Sequence, residues 1–213
     1  MPPKKTLAEH AATQTAFLEE RLEPVWAAAT AGCGHVFFVD AAHFVMGAFL
    51  TCVWCLRRLF IRGGSGRQRY HVLGAYNLVT QELVRITNST TVHRETMGAW
   101  LHKIAGLGLS GPITLVLDNA RYQHCDYVTA LAKSLTIDLM FLPSYSPNLN
   151  LIERLWKFVK KKALRGKHYA KFDDFKAAID GKLDGLATVH REELKTLITA
   201  KFQTYDKGSF LTV

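Results

Sequence analysis

Three acids stand out for the company they keep. Asp40 closes the apolar run Val36-Phe37-Phe38-Val39, and Asp118 closes Thr114-Leu115-Val116-Leu117. Glu153 falls in the first turn of a helix expected over residues 149–162, after a loop rich in Pro, Ser and Asn. An acid set directly after buried strand residues costs free energy unless it finds partners. Alone, each has an ordinary explanation: a strand-end cap or turn former for Asp40 and Asp118, and for Glu153 a charge favoured by the helix dipole. Brought together, the carboxylates repel unless a cation sits between them. Mg²⁺ takes oxygen ligands, commonly one or two carboxylates plus substrate phosphates. Two such ions about 4 Å apart clamp the attacking and leaving oxygens of a phosphoryl transfer. The pattern therefore points to metal-assisted cleavage or transfer at a phosphodiester, provided that the fold gathers the three acids.

The charge balance names the partner class. The 213 residues carry a formal net charge of +9, with a pI of about 9.5, which favours a polyanion, nucleic acid first. Two segments concentrate the cations. Residues 57–69 hold Arg57, Arg58, Arg62, Arg67 and Arg69 with no acid, and read either as a solvated turn or as a DNA-contacting loop. Residues 154–171 hold eight Lys or Arg and no acid, with Lys157, Lys160, Lys161, Lys162, Arg165 and Lys167 as candidate phosphate contacts. Such contacts make binding fall steeply with salt.

Hydrophobic content of 48% and charged content of 21% fit a soluble globular chain. The longest apolar run, around residues 44–56, stops at Arg57, short of the roughly 18–20 residues of a membrane span. No secretory signal precedes the first helix, so the expected setting is a reducing cytoplasm. There Cys33, Cys52, Cys55 and Cys125 read as buried reduced thiols. A zinc site at Cys52-x-x-Cys55, completed by Cys33 and His35, is the minor reading.

The elements that must position the acids follow from periodicity. Residues 1–31 read as a helix and linker interrupted by Pro24. A strand at 35–40 comes next, and strand-like composition continues beyond it. An antiparallel pair is expected at 70–76 and 82–87, a helix at 91–105, a strand at 113–118 and a helix at 119–134. A strand at 137–142 leads to the helix at 149–162, and amphipathic helices close the chain at 172–186 and 191–202. This order predicts an α/β protein with a mixed sheet, three antiparallel strands and then parallel ones, flanked by helices. In such sheets functional groups gather beyond the carboxyl ends of the parallel strands. We expect three parts: a helical linker (1–31), a catalytic domain (32–170) and C-terminal helices packed on it (171–213).

Three blocks make a family resemblance specific. They are Phe37-Phe-Val-Asp40 with His43-Phe44 after it; Leu115-Val-Leu-Asp118-Asn119-Ala-Arg-Tyr-Gln-His124; and Leu142-Pro-Ser-Tyr145-Ser146-Pro147-Asn-Leu149-Asn150-Leu-Ile152-Glu153-Arg-Leu-Trp156. Between Asp118 and Glu153 lie 34 residues. Over about residues 35–165 the chain resembles the catalytic domain of DDE transposases of the mariner-like superfamily, in particular their bacterial insertion-sequence relatives. The resemblance implies a ribonuclease H-like fold and two Mg²⁺ or Mn²⁺ ions held by Asp40, Asp118 and Glu153. It also implies strand cleavage at transposon ends, followed by attack of the freed 3′-hydroxyl on target DNA. Asn119, His124, Tyr145 and Asn150 match motif positions that support the acids or the DNA; each has a bland reading as a turn amide, a helix-surface imidazole, a packed ring or a helix cap.

Further expectations are double-stranded DNA as partner, a homodimer on DNA, and a bacterial, nucleoid-associated location. Two positions depart from the family pattern: Ala41, where relatives often carry an acid, and Leu151, where a Pro is common. Relatives also carry helix-turn-helix modules ahead of the first strand, whereas here about 30 residues precede it, so the chain is expected to be the catalytic half of a split or shortened protein. The alternative to an active enzyme is a decayed, non-catalytic DNA-binding descendant of a transposase.

Overall fold

The computed structural model describes residues 7–47, 68–88, 93–120 and 123–202. Arg57, Arg58, Arg62, Arg67, Cys52 and Cys55 lie outside them. Five strands form one sheet in the order β3-β2-β1-β4-β5. They are β1 (His35–Val45), β2 (Arg69–Asn77), β3 (Leu83–Asn88), β4 (Ile113–Leu117) and β5 (Ile137–Phe141). Strands β1, β2 and β3 pair antiparallel, while β4 and β5 run parallel to β1. This is the mixed sheet that the element order predicts.

Helices cover both faces. They are α1 (Leu7–Phe17), α2 (Glu23–Thr30), α3 (Arg94–Ala105), α4 (Asp126–Ser134), α5 (Ile152–Ala163), α6 (Phe172–Asp184) and α7 (Arg191–Leu197). The period-2 alternation of β1 sorts the layers. Phe37 and Val39 join Trp100, Leu101 and Val128 of α3 and α4 in one core. Phe38, Ala42 and Phe44 join Trp156 and Val159 of α5, with Phe175, Leu194 and the α1–α2 residues Phe17, Leu22 and Ala29, in the other.

Several local expectations are corrected. Strand β1 does not end at Asp40. Its pairing with β4 stops at Phe38↔Val116, but its pairing with β2 runs on to Val45↔Arg69. Asp40 thus stands where the parallel half of the sheet ends and the antiparallel half continues. Pro24 does not break the first helix. A π turn at Leu18–Leu22, closed by Glu23 N–H to Leu18 O, adds one residue ahead of it, so the proline falls in the first turn of α2, where its missing N–H is harmless. Helix α4 starts at Asp126 rather than at 119, because Asn119 spends its side chain on the Leu142 carbonyl instead of entering a helix. Helix α7 ends at Leu197, since the carbonyls of Thr199 and Lys201 accept from Arg154 of α5 at 3.0 and 2.6 Å. Cys33 is exposed and Cys125 half-buried, so these two are not core thiols. No described helix is long and apolar enough to cross a membrane.

Candidate active site

The site grows out of strand register. Phe38 pairs with Val116. Two residues on, in each parallel strand, stand Asp40 and Asp118, level with one another and on the face that α5 covers. Neighbouring strands lie about 4.8 Å apart. Glu153 comes from above. It sits three residues before Trp156 on α5, and residues at that spacing share a helix face. Trp156 is packed on this same side of the sheet, and its Nε1 donates to Asp40 Oδ2 at 3.0 Å. Helix and sheet therefore bring the three sequence-predicted acids towards one another.

The electrostatics agree. Burial pushes Asp40 up to about 6, with the Glu153 charge next in effect and the Asp118 charge adding less; the Ala41 amide and the Trp156 indole pull the other way. Asp118 is also raised, by burial first and then by Glu153, while the Asn150 amide lowers it. Among the described residues none of the three carboxylates has a salt-bridge partner. Nor do three His, Cys, Asp or Glu side chains close into a compact ligand cluster among them. The acids are near enough to oppose one another's ionisation without touching.

The supporting residues divide. Asn150 is buried, and it is not the helix cap that its position suggests: its Nδ2 donates to Val39 O at 3.0 Å and its side chain hydrogen-bonds Asp118. It ties the middle of β1 and the end of β4 to the start of α5. Its Oδ1 is buried without a partner among the described residues. Asn119 Nδ2 donates to Leu142 O at 2.6 Å, joining the ends of β4 and β5. Tyr145 is 63% exposed and has a φ of 59°; with Asp118, Asn119 and Ser146 it lines a cleft of about 280 Å³. The His124 ring lies tilted against Phe141, ring centroids 4.5 Å apart and planes at 50°.

The cations also divide. Lys157 and Lys161 line a groove of about 430 Å³ between α5 and α7, with Arg154 and Phe158. Lys160 lies over the Phe44 ring. Arg69 and Arg165 are exposed. Lys162 is taken up by Glu193 at 2.8 Å, and Lys167 donates to Lys162 O. Three residues past Asp40 along β1, the Nδ1 atoms of His43 and His71 touch across β1 and β2. Burial lowers the pKa of His43, and His71, Arg69 and Lys160 lower it further. Arg69 and Lys160 thus lie near this histidine pair.

Two contributions escape sequence reasoning. Trp156 is legible only as a member of an apolar stripe, although its i+3 spacing from Glu153 is a signal for a shared face. Gln14 and His10 of α1, which contact the loop before α5, carry no local signal.

Comparison with known proteins agrees with this fold. The chain matches the structure of the Mos1 mariner paired-end complex with Mn at a TM-score of 0.64 and 12% identity, covering 91% of this chain and 62% of that one. The Mos1 strand transfer complex matches at 0.61 and 14%, covering 91% and 61%. The Mos1 transposase catalytic domain with raltegravir and Mn matches at 0.62 and 11%, covering 91% and 93%. The chain thus has the ribonuclease H-like fold of that catalytic domain, and it spans about three fifths of the protein in the two complexes. No curated protein sequence matches it. A family model described as DDE superfamily endonuclease matches residues 57–176, more than half of the chain, including Asp118 and Glu153. The chain belongs to the DDE superfamily of endonucleases.

Proposed function

We propose that this chain is the catalytic domain of a DNA transposase of the insertion-sequence type, which cuts DNA strands at transposon ends and transfers them to target DNA. The observation that carries the reading is the convergence of Asp40, Asp118 and Glu153 from β1, β4 and α5, with Asp40 pushed up to about 6. The residues fit divalent cations: three carboxylates without a salt-bridge partner and the amide oxygen of Asn150 without a hydrogen-bond partner, both among the described residues, are all hard oxygen donors. In this reading the three acids hold two Mg²⁺ or Mn²⁺ ions. When bound, such ions activate an oxygen nucleophile and stabilise charge on the leaving oxygen.

The chain's own residues set the geometry. Trp156 and the Ala41 amide fix the Asp40 carboxylate by hydrogen bonds. Asn150 holds Asp118 and the middle of β1 together. Arg69, Lys157, Lys160 and Lys161 supply phosphate contacts beside the acids. Residues 32–170 are the catalytic unit, braced by 1–31 and 171–213. A homodimer on double-stranded DNA and a separate helix-turn-helix part for end recognition complete the proposal, because strand transfer joins two ends.

Nicking of supercoiled plasmid with Mn²⁺ or Mg²⁺ tests it. Asp118→Asn and Glu153→Gln should abolish nicking while leaving DNA retention intact. Nicking by those variants at the parent rate would show that the site is elsewhere. Salt-sensitive DNA binding with no metal-dependent nicking by the parent would instead favour the decayed, non-catalytic reading.

A further inference from the structure

The loop between β5 and α5 carries a 3₁₀ turn at Pro147–Leu149, with Leu149 N–H donating to Ser146 O and Asn150 N–H to Pro147 O. It is clasped by the first helix. Gln14 of α1 is fully buried. Its Nε2 donates to Ser146 Oγ at 2.9 Å and to Asn148 Oδ1 at 3.3 Å, and its Oε1 accepts from Asn148 Nδ2 at 3.1 Å. One turn earlier, His10 Nε2 donates to Ser144 O at 3.1 Å. The buried neighbours of Gln14 along the first helical stretch are apolar: Ala11, Phe17 and Leu18. Placing an amide among them costs free energy unless each of its polar atoms is satisfied. Here both are, by the loop that delivers the active site.

The loop leads directly into the machinery itself. Asn150 comes two residues after Asn148, clamps Val39 O and bonds Asp118. Glu153 comes three residues later and donates its own N–H to Asn150 O. The loop held by the clasp includes Tyr145 with a φ of 59°, a conformation that a tyrosine holds only when its surroundings over-determine it. Apolar packing of Leu149, Leu151 and Ile152 fixes depth, but it is non-directional and sets no rotation. Directional bonds do, and those from α1 hold the part of the loop ahead of Asn150.

We propose that Gln14 is a positioning residue of the active site, and that α1 is the brace which sets the loop so that Asn150 and Glu153 meet Asp118 and Asp40. This rests on the reading of those acids as the site. It makes the first helix a working part of that site rather than a linker ahead of it.

The test separates bracing from simple stability. Variants Gln14→Ala, Ser146→Ala and the amide exchange Gln14→Asn with Asn148→Gln are compared with the parent. Hydrogen exchange of backbone amides at 146–153 is read against those of β4, with melting temperature in parallel. The brace predicts roughly tenfold faster exchange at 146–153 in Gln14→Ala with β4 unchanged, and a Mn²⁺ half-saturation for nicking raised about tenfold at an unaltered KM for DNA. The amide exchange should restore both, because it keeps the reciprocal pair. Parent-like exchange at 146–153 would overturn the proposal. So would a lowered melting temperature with parent-like Mn²⁺ half-saturation, since that marks a purely structural role. If Gln14→Ala does not fold, Ser146→Ala gives the same two readouts with a smaller perturbation. If the parent does not nick DNA, the transposase reading fails by itself, and the exchange rates still decide whether α1 braces the loop.

Discussion

Trp156 Nε1 donates to Asp40 Oδ2 at 3.0 Å, from α5 to the middle of β1. The same indole packs edge-on against Phe44, ring centroids 6.4 Å apart, and is 2% exposed. One side chain thereby couples the apolar core to the orientation of an acid. Trp156→Phe keeps most of the packing and removes the donor. A charged acceptor deprived of one hydrogen bond costs about 1–2 kcal/mol, measurable by denaturant titration. Nicking should fall several-fold in the same variant. Unchanged nicking would mean that the indole serves packing alone.

Gly74 stands opposite Asp40 in β2. A Cβ there would meet Trp156 Cη2 at 2.8 Å and Cζ2 at 3.0 Å, distances that force the ring to move. Overpacking of this kind costs about 1–3 kcal/mol. Gly74→Ala should therefore lower the melting temperature and weaken nicking together, by tilting the indole off Asp40. A crystal structure of the variant with the Trp156–Asp40 bond intact would contradict that account.

Asp40 predicts a pH dependence. Its folded-state pKa is raised from 3.8 to about 6, so the folded chain holds the proton better than the unfolded one. The resulting stability is full below about pH 4 and is lost as pH rises through about 6. Asp40→Asn is neutral throughout. In chelator-treated buffer it should be more stable than the parent by about 3 kcal/mol at pH 8, and the two should converge near pH 4. Thermal melts across that range check the sign; a variant less stable than the parent at high pH would refute it.

The two groups of lysines on α5 predict different salt behaviour. Lys157 and Lys161 line an open groove, whereas Lys162 is paired with Glu193. Changing Lys157 and Lys161 to Ala should reduce the slope of log K against log salt by about 2, one for each phosphate left without its lysine. Lys162→Ala should leave it nearly unchanged. Filter binding at several salt concentrations distinguishes them.

The legible parts of the site are those whose signals are local. Asp40 and Asp118 can be read because each ends an apolar run, and alternation along a strand declares a face. Glu153 can be read from motif spacing. The continuation of β1 past Asp40 cannot, since it depends on β2 offering partners up to Arg69. Asn150 looks like a helix cap from its position, and only the approach of β1 turns its amide to Val39. The clasp of Gln14 on Ser146 and Asn148 joins distant segments through a buried amide, and no local pattern announces it.

The strand order β3-β2-β1-β4-β5 also orders events in time. During synthesis Asp40 emerges before the other two acids, and β2 and β3 can pair with β1 soon afterwards. The parallel neighbour β4, and then the helix bearing Glu153, leave the ribosome later, and domains fold as their segments become available. A growing chain therefore displays Asp40 without its full set of partners until Glu153 has been made. Whatever the three carboxylates do to DNA is withheld from every copy that stops short of α5.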